Sequence, residues 1–150
     1  MRQMRRIAAQ MVQAVRIREV ERLAAEIALQ DAELERQATA RRLEAVRLEC
    51  TAREEDWLQA VSRAHFDLEL TNALAGAVND AHTASVIQEG VVEASEARRR
   101  VAAEQLQLAQ GRLDAAAKVA NEGRRRAWKR AEERRLADGA DRIAGVWWGA

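Results

Sequence analysis

Residues 62–90 read SRAHFDLELTNALAGAVNDAHTASVIQEG. On both sides of this stretch, apolar and small residues recur every three and four positions. Before it, Met4, Ile7, Met11, Ala14 and Ile17 open a seam. Val20, Ala24, Ile27, Leu34, Ala38, Ala45 and Leu48 continue it in heptad register, with Asp31 and Arg41 as interruptions. After it, Ala102, Leu106, Ala109, Leu113, Ala116, Ala120, Gly123 and Ala127 form a second seam, small enough for close helix approach. Within 62–90 the periodicity fades, and two places offer turn chemistry. One is 64–67, where Asp67 suits a helix N-cap. The other is 76–83, with Gly76, Asn79, Asp80 and Thr83.

Either turn divides the chain into two long helices, and a short link makes them antiparallel. The expected fold is all-α, two long helices in an antiparallel coiled-coil hairpin, monomeric or weakly dimeric. It is expected as one domain with a first arm over about 1–64, a turn within 64–83 and a second arm to about 145, where a short apolar tail follows at 146–150. An arm of about 64 residues extends roughly 95 Å at 1.5 Å per residue. A lone helix of this kind leaves its apolar stripe in water, and closing the hairpin buries it.

Composition points the same way. The chain has 150 residues and no proline, so no residue forces a helix to break. Charged residues make up 33% and aromatics 3%, a balance that suits thin coiled-coil seams better than a globular core. Acid-before-base pairs at four-residue spacing, Glu49–Arg53, Glu96–Arg100, Glu122–Arg126 and Asp138–Arg142, add helix support of a few tenths of a kcal/mol each. The Arg-rich, acid-poor opening, MRQMRRIAAQMVQAVRIRE, reads as an amphipathic helix start rather than a transit peptide, because Gln10 and Gln13 interrupt its apolar stretch.

The net charge of +1 conceals a strong segregation. Residues 1–53 carry 11 basic and 8 acidic side chains, 54–96 carry 1 and 9, and 97–150 carry 13 and 7. The chain therefore runs +3, −8, +6. A fold at the middle is expected to gather both basic stretches at one end and place the acidic one at the opposite tip, which makes a two-ended adaptor.

Sites for chemistry are sparse. Cys50 is the single cysteine, so no intramolecular disulfide forms; the residue reads as a small seam side chain in a reducing compartment. His65 and His82 stand 17 residues apart without the carboxylate spacing of a helical metal site. No HExxH occurs and no glycine precedes a lysine, so phosphate-cradling loops are excluded. No enzymatic activity, cofactor, metal or small-molecule substrate is expected. The longest uncharged stretch, LTNALAGAVN at 70–79, is too short to span a membrane.

The segment RRRAWKRAEERR, 124–135, concentrates Arg, Lys and Trp128. It admits a protein partner, a membrane surface with Trp147 and Trp148 at headgroup level, a nucleic acid, or a solvated helix end whose tryptophans pack on the first arm. Interleaved Glu132, Glu133, Asp138 and Asp141 speak against nucleic acid. Trp and Arg are the residues most enriched at the centres of protein interfaces.

AVRIREVERLAAEIALQDAELER (14–36), WLQAVSRAHFDLEL (57–70) and above all EGRRRAWKRAEERRLADGADRIAG (122–145) resemble the FliJ/YscO family. These are the stalk proteins of flagellar and type III secretion export, and the resemblance covers the whole chain. Gly139, between Asp138 and Asp141, departs from the unbroken helix usual there. The resemblance implies an antiparallel two-helix coiled coil like the central stalk of rotary ATPases. It further implies a non-catalytic role coupling an export ATPase ring to the membrane export gate, and escort of export chaperones. By motif, Arg124, Arg125, Arg126, Trp128, Arg130, Glu132, Glu133, Arg134 and Arg135 would face the ATPase. Trp57, His65, Phe66, Asp67, Leu68 and Glu69 would lie at the gate-facing tip. The implied location is cytoplasmic, peripheral to the inner face of the bacterial cell membrane.

Overall fold

Two helices make up the fold: α1, Arg2–Val61, and α2, Leu68–Trp148. The computed structural model describes the backbone of residues 2–148 and the side chains of 6–143. Helices of 60 and 81 residues form because Ala, Leu, Arg, Glu and Gln dominate and no proline intervenes. Of the four acid-before-base pairs, Glu49–Arg53 closes, at 3.5 Å. The other three do not close as ion pairs, as is common for long exposed side chains.

The chain reverses at the first of the two candidate places. Ser62 terminates α1: its backbone N–H donates to the Leu58 carbonyl at 3.1 Å, and its hydroxyl donates to the same oxygen at 2.7 Å. Asp67 starts α2 by accepting the Leu70 N–H on Oδ1 at 3.1 Å, a side-chain N-cap. Glu69 adds an acid in the first turn, where the helix dipole favours it. The second place, 76–83, is helical throughout. Its turn chemistry is absorbed: Thr83 donates its hydroxyl to the Asn79 carbonyl at 3.0 Å instead of opening a turn. α2 also continues through Gly139 and past 145, so the expected tail at 146–150 begins as helix.

The helices pack against each other as an antiparallel hairpin in which two units are distinguished. The first is residues 25–106. In it Glu54 meets His82 at 2.7 Å, Arg47 meets Glu89 at 2.9 Å, and Glu35 meets Arg98 at 2.7 Å, so partners descend α1 as they climb α2. Its seam is heptad-spaced on both helices: Ala25, Leu29, Ala32, Arg36, Thr39, Leu43, Val46 and Cys50 on α1, and Val78, Ala81, Ser85, Gln88, Val92 and Ser95 on α2. The middle of this seam is polar. Ser95 is fully buried, its hydroxyl lies 2.9 Å from that of Thr39, and Gln88 donates to the Thr39 carbonyl at 3.1 Å. A slip of either helix would strand these groups, so they specify register as well as adding stability.

This seam differs from the expected one. Val20, Ile27, Leu34, Ala38, Ala45 and Leu48 face water, with Leu34 64% and Leu48 68% exposed. The two stripes are similar in apolar bulk, with Leu29, Leu43 and Val46 on the inward one and Ile27, Leu34 and Leu48 on the outer one. The side of α1 that carries Thr39 is the one that meets the polar groups of α2. On α2 the expected seam, Ala102 to Gly123, is the buried one, and Ala127 beyond it is exposed.

Beside the polar layer, Glu33 bonds to Arg36 at 2.8 Å and to Arg99 of the opposite helix. The hydrogen bond from Arg36, with that from Arg99, lowers its pKa from 4.5 to about 2. A carboxylate depressed in the folded state stabilises above its unfolded pKa, and the contribution is lost as pH falls from about 4.5 toward 2. Urea melts of wild type and Glu33→Gln should therefore differ at pH 7 and converge near pH 2. A difference that persists unchanged at low pH would contradict the assignment.

The second unit joins the stretch up to Ala24 with the stretch from Gln107. Met11 on α1 lies against Ala120 and Gly123 on α2. Ala109, Leu113, Ala116 and Ala120 form the inward line of α2, with Ala109 and Ala120 buried. A Cβ at Gly123 would lie 2.8 Å from the Met11 sulfur, so the glycine lets Met11 rest on the α2 backbone. Met4, Trp147 and Trp148, which the sequence assigned to seam and membrane roles, have side chains outside the described set.

Candidate partner-binding groove

The two units carry opposite charge. Residues 25–106 hold 9 basic and 16 acidic side chains, net −7. Residues 6–24 with 107–143 hold 14 basic and 8 acidic, net +6. The link and both its flanks belong to the acidic unit, and the 124–135 segment to the basic one.

A groove of about 330 Å³ lies between the helices of the basic unit. Ile7, Ala8, Met11 and Val12 of α1 and Ala120, Gly123 and Ala127 of α2 form its floor. Arg124, Arg126 and Arg130 stand on its rim. Spacing explains this set: Ala120, Gly123 and Ala127 extend the heptad seam of α2, and residues 126 and 130 flank that line one turn apart. α2 contributes only Ala120, Gly123 and Ala127 to the floor, so the apolar residues of α1 are left partly uncovered; Ile7 is 46% exposed. Guanidinium forks pair bidentately with carboxylates, and an apolar floor between them accepts an aliphatic or aromatic side chain. Together they fit one face of an acidic amphipathic helix.

The other predicted residues of this segment fall elsewhere. Arg125 lines a separate shallow depression with Asp114, Lys118 and Glu122. Trp128 is 65% exposed and outside the groove lining. Glu132, Glu133, Arg134 and Arg135 are exposed further along α2. Arg124 also donates to the Asn121 side chain at 2.7 Å, which holds its guanidinium on the rim. Sequence reasoning found the basic residues but not Ile7, Ala8 and Val12 as their apolar counterpart. The heptad spacing of Ile7 and Met11 against Gly123 was the available signal.

At the link and the start of α2, His65, Phe66, Asp67, Leu68 and Glu69 are all exposed, with Phe66 57% accessible. Trp57 is separated from them. It turns into the seam of the acidic unit, with its indole N–H buried and unpaired. Cys50 is buried in the same seam. Cys50→Ala should leave partner binding unchanged, as measured by titration calorimetry, at a modest cost in melting temperature.

Among the described residues, no group of three or more His, Cys, Asp or Glu side chains is placed to hold a metal ion. Among the described residues, no helix is long and apolar enough to cross a membrane. No family model, curated protein or solved structure matches the chain.

Proposed function

We propose that the chain is a non-catalytic stalk or adaptor of a type III protein export apparatus, in its flagellar form, coupling the export ATPase ring to the membrane export gate. The observation that carries this reading is the partition of surface along one antiparallel hairpin: a basic unit with an Arg-rimmed apolar groove, and an acidic unit that contains the exposed link. The resemblance of residues 14–36, 57–70 and 122–145 to the FliJ/YscO family supplies the identity of the partners.

In this reading positive charge steers the basic unit toward an acidic pore and raises the rate of encounter. Arg124, Arg126 and Arg130 then pair with carboxylates while the floor takes an apolar side chain. The link, with Phe66 and Leu68 exposed, meets the gate, and export chaperones bind in the course of delivery. The alternative is an adaptor that binds a membrane surface or a nucleic acid through its basic, Trp-containing end. An apolar floor adds nothing to the phosphate contacts of a nucleic acid, which favours a protein partner over that one.

The experiment separates the two surfaces. Asp67→Asn with Glu69→Gln removes charge at the link while asparagine retains the N-cap. This variant should stimulate the partner ATPase as wild type does and impair export, scored as motility. Asp67→Ala serves as the control for loss of the cap, which costs about 1 kcal/mol. Loss of stimulation on changing the link, with none on changing the groove, would reverse the polarity. If neither change affects any ATPase, the stalk reading fails.

A further inference from the structure

We propose that the water-facing stripe of α1 is a self-association surface, on which a second copy of this chain docks antiparallel about a two-fold axis beside residue 36. The stripe holds Ile27, Asp31, Leu34, Ala38, Arg41 and Ala45, all exposed and all within the acidic unit. They keep heptad spacing, so they lie in one line about 27 Å long. α2 does not cover them, because α1 presents its opposite side to the hairpin seam.

What identifies the occupant is the self-complementarity of the line. In an antiparallel pair centred on residue 36, Asp31 of one copy meets Arg41 of the other, and the two-fold repeats the contact. Leu34 then meets Ala38, and Ile27 meets Ala45. Each large apolar side chain faces an alanine, which fills those layers without a clash. Neither Asp31 nor Arg41 has an ion-pair or hydrogen-bond partner among the described residues, although neighbouring Glu33, Glu35 and Arg36 all do. The parallel alternative sets Asp31 against Asp31 and Arg41 against Arg41, and is disfavoured by like-charge repulsion. The two polar residues that interrupt the seam thus select both the partner and its direction. Six layers make a small interface, and the association is accordingly weak, with a Kd between roughly 10 µM and 1 mM. It leaves the groove of the basic unit free, and it does not depend on the export reading.

Sedimentation velocity on the full chain over a concentration series tests the proposal. Wild type should pass from monomer to dimer. Asp31→Arg alone and Arg41→Asp alone should each weaken dimerisation at least about tenfold, since each creates like-charge layers. The double swap, Asp31→Arg with Arg41→Asp, should restore it. Circular dichroism checks that all four proteins are equally helical, as expected for exposed positions. Spin labels on Leu48→Cys in a Cys50→Ala background should lie about 36 Å apart in the antiparallel dimer, against about 10 Å in a parallel one. A chain that stays monomeric at about 1 mM, a double swap that fails to rescue, or the short label distance would each overturn the proposal.

Discussion

Reversing the groove rim, with Arg124, Arg126 and Arg130 all changed to Glu, is expected to abolish stimulation of the partner ATPase. Three cations become three anions on the positions that line the groove, so attraction to an acidic pore turns into repulsion. Binding should fall by at least two orders of magnitude, about 3 kcal/mol, because several charge-assisted contacts are lost together. All three positions are exposed and Glu is a good helix former, so helix content should match wild type. Arg125→Glu is the internal control. It changes the net charge in the same sense but lies outside the groove, and it should weaken binding far less. Equal effects of Arg125→Glu and of each rim reversal would mean that net charge alone attracts the partner, and the groove would lose its role. Trp128→Ala tests the separate exposed surface. If it alone eliminates binding, the contact lies on that side of α2.

The largest effect on stability is expected in the small-residue seam of the basic unit. Ala109 and Ala120 are 7% and 5% exposed, on the inward line of α2 that packs against α1. Leucine at either site adds three carbons where no space exists, so the helices must separate or the side chains must leave their rotamers. Overpacking of this kind costs about 1–3 kcal/mol per site. The double variant should lose a large part of the total for a chain whose seam has so few bulky residues. Thermal melts followed by circular dichroism should show a transition lowered or broadened for Ala109→Leu with Ala120→Leu. Ala131→Leu, on an exposed position, should melt as wild type. If the double variant melts at the wild-type temperature, the small residues do not set the helix spacing.

The hairpin was legible because its signals are local. Proline is absent, the seam of α2 keeps strict heptad spacing from Ala102 to Gly123, and Asp67 sits where a helix N-cap belongs. The choice between the two turn regions was not legible, since Gly76, Asn79 and Asp80 carry turn chemistry that a continuous helix tolerates. The face of α1 was misread for a reason that extends beyond this chain. Ile27, Leu34 and Leu48 on one stripe and Leu29, Leu43 and Val46 on the other keep the same heptad spacing, and burial is decided jointly with the opposing helix. Ser95, Gln88 and Arg99 on α2 require hydrogen-bonding partners, and Thr39 and Glu33 supply them. Pairwise polar matching of this kind is invisible to periodicity within one segment. The arginines of the candidate groove were visible in RRRAWKRAEERR, while its floor joins residues more than a hundred positions apart and appears only once α1 and α2 are paired.

The account rests most heavily on the basic groove recognising a protein. Binding of the wild-type chain to the purified export ATPase, to anionic lipid vesicles and to duplex DNA, compared side by side at physiological salt, tests that claim most directly. The account predicts saturable binding and stimulation of the ATPase that the rim reversal removes, with neither vesicles nor DNA retained. Binding to vesicles or DNA, with the ATPase unbound and its rate unchanged, would contradict it.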